Sequence, residues 1–194
     1  LPANETQKEF DKQPVLERLD HHLKISGLKT LHTLKPDFSW GCSNIDKLIS
    51  KYNLSDYILL FPFCSEHLQQ KKWPYYDQLI KLIKQNNPNL KIVTAPGPDE
   101  IEKAKKLDAV SILKEDKAIS ISELAGLIKR SKFVVANDTG PAHMAAHLNV
   151  KGLSLFGSHT TAYKVSIERE NFKAIQVSDL KNLSAQKVFE RLAL

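Results

Sequence analysis

The sequence is short of the features that mark most specialised classes. It has two cysteines in 194 residues, Cys42 and Cys64, 22 positions apart and neither in a CxxC pair. That spacing excludes a disulfide framework and a structural zinc site, and each thiol reads as a small buried group. Long apolar runs are missing too: the longest, Tyr57 to Phe63 and Phe133 to Ala136, fall far below the roughly 20 residues of a membrane helix. The opening Leu1, Pro2, Asn4, Glu5 does not read as a signal peptide. The single methionine is Met144, so the chain is expected to be processed or cut from something longer. No GxGxxG follows a candidate strand, and GxxxxGK[ST], GxSxG and HExxH do not occur. Nor do carboxylates cluster at a spacing suited to Mg²⁺. Nicotinamide-dinucleotide, P-loop, serine-hydrolase and zinc-protease chemistry are thereby set aside, and no metal or cofactor is called for.

What is present is an ordinary globular composition, 42% apolar and 26% charged, long enough to bury a full core. The 28 Lys+Arg against 22 Asp+Glu leave a formal charge of +6. The lysines are scattered, at Lys29, Lys51, Lys81, Lys105, Lys129 and Lys181, rather than interleaved with aromatics. That distribution reads as solvated helix faces, argues against nucleic acid as a partner, and suits a small anionic ligand.

From residue 57 onward, short β-rich apolar runs alternate with segments of helical period. Strands are expected at Tyr57 to Pro62, Leu90 to Thr94, Ala109 to Leu113, Phe133 to Ala136, Leu153 to Phe156 and Ala174 to Val177. Helices are expected through Tyr76 to Ile83 (stopped by Asn86-Asn87-Pro88), Ile101 to Leu107, Ile121 to Ile128 and Ala142 to Leu148, with a last one capped by Ser184. The pattern predicts a doubly wound parallel α/β sheet of about six strands over residues 56–194. Residues 1–55 read differently: Asn4 to Gln13 is polar without a periodic face, and only Leu16, Leu19 and Leu23 mark a short helix. This stretch is expected to be a linker or the tail of a neighbouring domain.

Ligands of open parallel sheets bind beyond the carboxyl ends of strands, so the segments after each strand are the place to search. Asn137-Asp138-Thr139-Gly140-Pro141-Ala142-His143 follows the fourth strand. Asp138 or Thr139 can cap the helix there, and its free N–H groups suit a diphosphate, although a plain cap fits the same residues. Pro62-Phe63-Cys64-Ser65 opens a loop ending in Lys71-Lys72-Trp73-Pro74, which brings two ammonium groups to the same edge or simply packs Trp73. Glu100, after Ala95-Pro96-Gly97-Pro98-Asp99, could accept ribose hydroxyls or merely favour a helix dipole. Gly157-Ser158-His159-Thr160-Thr161 follows the fifth strand and is polar enough to line a pocket.

Taken together, Lys71-Lys72-Trp73-Pro74, Glu123-Leu124-Ala125, Asn137 to Ala146 and Leu155-Phe156-Gly157 resemble the lipopolysaccharide heptosyltransferase family, glycosyltransferase family 9. The D-[ST]-G-x-x-H-x-A-A block is the most specific part, and the resemblance runs from about residue 57 to 177, the second half of the family's pattern. It implies one Rossmann-like half of a two-domain GT-B enzyme, the half that binds ADP-heptose or a similar nucleotide sugar for transfer to the lipopolysaccharide core. The acceptor and the Asp general base would belong to a missing N-terminal domain, with transfer inverting and metal-independent. By the same resemblance Thr139 and Gly140 would hold the donor diphosphate and Asp138 and His143 would shape that turn. Lys71 and Ser65 would contact the donor, Glu100 would reach the ribose and Ile119 would cover adenine. A cytoplasmic location at the inner face of the inner membrane is implied as well. The alternative class is a stand-alone nucleotide-sugar-binding module without transfer activity. The sequence departs from the family at Ser158-His159-Thr160, where Pro-Thr is usual, and at Ala95, where Gly is common.

Overall fold

The computed structural model describes residues 7–192; residues 1–6, which open the polar stretch Asn4 to Gln13, and 193–194 lie outside the described residues. Among the described residues, β1 (Tyr57–Phe61), β2 (Lys91–Thr94), β3 (Val110–Ser111), β4 (Phe133–Asn137), β5 (Gly152–Phe156) and β6 (Phe172–Gln176) form one sheet. Its order is β3-β2-β1-β4-β5-β6, and every neighbouring pair is parallel. The α-helices are α1 (Gln7–Lys12), α2 (Val15–Ile25), α3 (Asp46–Tyr52), α4 (Tyr76–Asn86), α5 (Ile101–Ala104), α6 (Ile121–Lys129), α7 (Gly140–His147) and α8 (Ala185–Glu190). None of the helices described is long and apolar enough to cross a membrane.

The central strands are apolar at nearly every position because both faces are covered, as parallel sheets require. Alternation along β1 divides the core: Tyr57, Leu59 and Phe61 meet α6 and α7, while Ile58 and Leu60 meet α4 and α8. Right-handed crossovers that leave β1 and β4 in opposite directions account for the two covered faces. The edge strand β3 is shorter than the Ala109 to Leu113 expected, since it pairs only with β2.

Within the stretch read as linker, Ile45, Leu48 and Leu54 around α3 enter the core. Gly126 of α6 allows this approach: a Cβ there would fall 2.5 Å from the Ser43 carbonyl oxygen, and Ser43 N–H donates to Ser122 O at 2.9 Å. The polar run before it contains α1, with Phe10 buried, although its sequence shows no helical period. In α2 the predicted helix forms, but Leu19 and Leu23 face solvent and the buried residue is Asp20, paired with Lys24 at 2.6 Å. Both cysteines are free and half-buried rather than fully enclosed.

Candidate functional site

β1 and β4 are neighbours whose chains depart to opposite faces, so their carboxyl ends open a crevice. A cavity of about 550 Å³ fills it, in the range of small-ligand sites. Its walls come from Phe63 to Ser65 after β1, Thr94 to Pro98 and Glu100 at and after the end of β2, Ala118 to Ile121 leading into α6, and Thr139 to Pro141 at the start of α7.

Thr139 occupies the N-cap position of α7, but its hydroxyl donates to Asn137 O at 3.2 Å instead of accepting from the helix. Asp138 does not cap it either. Ala142 and His143 N–H donate back to Thr139 O at 3.0 and 3.3 Å, so the first turn of α7 offers the cavity the Gly140 N–H and the positive end of its dipole, with no side-chain cap. Pro141 removes one donor there, at a position where helices tolerate proline.

Asp138 is instead occupied from its other side. Its Oδ2 accepts from Lys71 Nζ at 2.7 Å and faces His159 Nε2 at 3.1 Å, and His143 Nε2 lies 3.4 Å from Oδ1. Burial works against its ionisation, yet the hydrogen bonds from His143, Lys71 and His159, with the Lys71 charge, outweigh that and hold the carboxyl well below the usual carboxylate range. One residue earlier, the fully buried Asn137 accepts from Trp73 N–H at 3.1 Å and from the Tyr76 hydroxyl at 3.4 Å. The buried Trp73 indole donates to Leu183 O at 2.7 Å. The Lys71 loop is thus clamped to the end of β4, which sets the ammonium beside the α7 terminus.

On the opposite wall, Glu100 Oε2 accepts from Gly97 N–H at 2.9 Å, which fixes its carboxylate at the cavity. Ile119 is half-buried ahead of a capping box in which Ser120 Oγ accepts from Glu123 N–H at 3.2 Å and Glu123 Oε2 accepts from Ser120 N–H at 2.9 Å. The hydrogen bond from Lys114, helped by those from Ser120, holds the Glu123 carboxyl down to about 2. Cys64 also lines the cavity, with its thiol donating to Leu68 O and its pKa pushed up by burial.

Of the residues singled out in the sequence, Ser65, Glu100, Ile119, Thr139 and Gly140 line one cavity. Lys71, Asp138 and His143 form an ion-pair cluster immediately behind it. The loop after β5 does not line the cavity; its His159 is turned inward onto Asp138. His159 was not among the site residues taken from the sequence, where the signals were a polar run following the fifth strand and the departure from the family pattern at Ser158-His159-Thr160.

The topology and the cavity at its switch point define a doubly wound α/β domain with a ligand-sized cavity at the start of α7. A family model described as Glycosyltransferase family 9 (heptosyltransferase) matches residues 6–192, and the chain belongs to this family. It is 29% identical over 114 residues to lipopolysaccharide heptosyltransferase 1 of Campylobacter coli, covering 54% of this chain and 33% of that protein. Its fold is similar to that of the E. coli heptosyltransferase WaaC with ADP, with a TM-score of 0.68 and 22% identity, covering 92% of this chain and 56% of the other. E. coli ADP-heptose lps heptosyltransferase II gives a TM-score of 0.63 and 19% identity, with 85% and 51% covered. The chain spans about a third of the curated relative and about half of the solved ones.

Proposed function

We propose that this chain is the donor-binding half of a heptosyltransferase-type enzyme and that its cavity takes a nucleoside diphosphate sugar, ADP-heptose by the character of its relatives. The observation that carries this reading is the uncapped start of α7 opening into the cavity, with the Lys71 ammonium held one residue from it at Asp138. The diphosphate lies against Thr139 and Gly140 within reach of Lys71 and Ser65, the ribose hydroxyls meet Glu100, and the adenine lies on Ile119. Asp138 and His143 shape the turn. When the glycosidic bond to the sugar breaks, negative charge gathers on the departing ADP; the helix terminus and Lys71 stabilise it in place, with no metal ion required.

Much of residues 1–55 leads towards an acceptor-binding domain. That domain supplies the general base which deprotonates the acceptor hydroxyl of the lipopolysaccharide core, so transfer is inverting and this half alone is inactive. The work is done in the cytoplasm against the inner membrane.

Titration calorimetry of the chain with ADP tests the donor site. A Kd of about 0.01 to 1 mM, unchanged by EDTA, is expected for half of a two-domain cleft. Lys71→Ala weakens binding about 10- to 100-fold, the worth of one charge-assisted hydrogen bond. Lys105→Ala, whose lysine pairs with Glu102 on the outside of α5, changes it less than about twofold. No heat with millimolar ADP, or a strict Mg²⁺ requirement, contradicts the reading.

A further inference from the structure

We propose that His159 is a positioning residue: by sharing Asp138 Oδ2 with Lys71, it leaves the Lys71 ammonium free to pass to a bound diphosphate. The inference rests on the donor-site reading above and adds a residue to it.

Asp138 is 4% exposed, so its negative charge needs a partner at all times. Two donors converge on Oδ2, Lys71 at 2.7 Å and His159 at 3.1 Å, while His143 stands at Oδ1. The Lys71 side chain is 23% exposed and reaches the surface; the His159 side chain, at 8%, does not. Only the lysine can swing outward to a ligand. If it leaves, His159 keeps Oδ2 and His143 keeps Oδ1, and the buried carboxylate is never bare. Without His159, Lys71 is the one donor left on Oδ2, and releasing it strips that oxygen.

The imidazole is built into this position. Its ring stacks on Phe156, with centroids 6.0 Å apart and 12° between planes. Gln176, the last residue of β6, holds the loop that carries it: Nε2 donates to Gly157 O at 2.6 Å and Thr160 O at 3.1 Å, and Oε1 accepts from Ala162 N–H at 3.1 Å. An ionised Asp138 can only accept, so Nε2 bears the hydrogen, while Nδ1 is buried without a partner. A histidine retained for packing and loop structure alone would be expected to use both nitrogens; this one spends its polar capacity on Asp138.

The test is a double-mutant cycle on the chain, read as ADP affinity by titration calorimetry. His159→Phe keeps the stack and loses the hydrogen bond; His159→Asn is polar but too short to reach Asp138; His159→Gln places an amide N–H near the position of Nε2. The Phe and Asn variants are expected to bind ADP about fivefold more weakly, and Gln to stay within about twofold of native. In a Lys71→Ala background all three are expected to bind ADP alike, because there is no ammonium left to release. Thermal melts by circular dichroism show which variants are folded, and either Phe or Asn suffices to read the effect. Native affinity in the folded Phe or Asn variant, or an equal loss with and without Lys71, overturns the role of His159 while leaving the donor site standing. A native chain that does not bind ADP overturns both.

Discussion

One face of the sheet is packed under α4 with large side chains, whereas on the other face α7 itself meets β4 and β5 through small ones. On the first, Trp73, Tyr76, Leu79, Ile80 and Ile83 pack on Ile58, Leu60 and Val135. On the second, Ala142, Ala145 and Ala146 of α7 lie over Ala136 of β4 and the buried Ser154 of β5. The difference sorts two tasks. Small residues let α7 sit close to β4 and β5, so its first turn arrives at the crevice where a ligand can meet it. The bulky face anchors a loop: Trp73 is buried, tied to Leu183 and Asn137, and fixes Lys71 two residues earlier. Asn137 and Asp138, consecutive at the end of β4, join the two faces into one site.

The comparison can be broken most strongly at Trp73. Trp73→Ala removes the largest fully buried side chain together with its indole hydrogen bond and is expected to cost about 3–5 kcal/mol, read by urea unfolding. A cost below about 1 kcal/mol would mean that the loop is held by something else. Overpacking the small-residue seam under α7 comes next. Ala145→Leu is expected to cost about 1–3 kcal/mol and, by lifting α7 off the sheet, to weaken ADP binding well beyond what the loss of stability explains. Ile80→Val on the bulky face costs about 0.5–1.5 kcal/mol and leaves ADP affinity within about twofold. Equal effects of the two substitutions on ADP binding would erase the distinction between the faces.

A pH-dependent effect, different in kind, belongs to the far end of α7. Burial, with the Arg169 charge and then His143, pushes His147 down to about 4. An unfolded histidine titrates near 6.5, so the unfolded chain takes up a proton that the native chain refuses between these values. The stability due to neutral His147 is therefore fully present above about pH 6.5 and is lost as pH falls towards about 4. His147→Gln is expected to flatten the stability profile in that window by denaturant unfolding at fixed pH values. An unaltered slope would place the acid sensitivity elsewhere.

Legibility in the sequence followed periodicity. Runs such as Tyr57 to Phe61 and Phe133 to Ala136 are apolar throughout because both faces are covered, and α4 ends at Asn86 just ahead of Pro88, so strands and helices could be located within a few residues. The D-T-G segment was visible for the same local reason: Thr139, Gly140 and Pro141 have the chemistry of a helix start whatever surrounds them. Period failed where burial was not set by a neighbouring repeat. The leucines of α2 predicted its helix but not its exposed face, and α3 enters the core through a close approach at Gly126 that no periodicity records.

The sequence by itself determined the α/β class, the order of the elements from residue 57 onward and the local chemistry of each strand end. Only the tertiary structure decided which of those ends share a cavity and which face one another across a buried charge. The capping readings for Asp138 and Thr139 depended on that decision: three donors from separate loops and α7 surround Asp138, while Thr139 turns back to Asn137 and the helix start is left open. His159 lies 21 residues from Asp138 along the chain and reaches it only because β5 lies beside β4 and Gln176 folds the intervening loop back. Such contacts follow from strand order and burial, which bring together residues that no local spacing relates, and they determine which polar groups are spent inside the fold and which remain for a ligand.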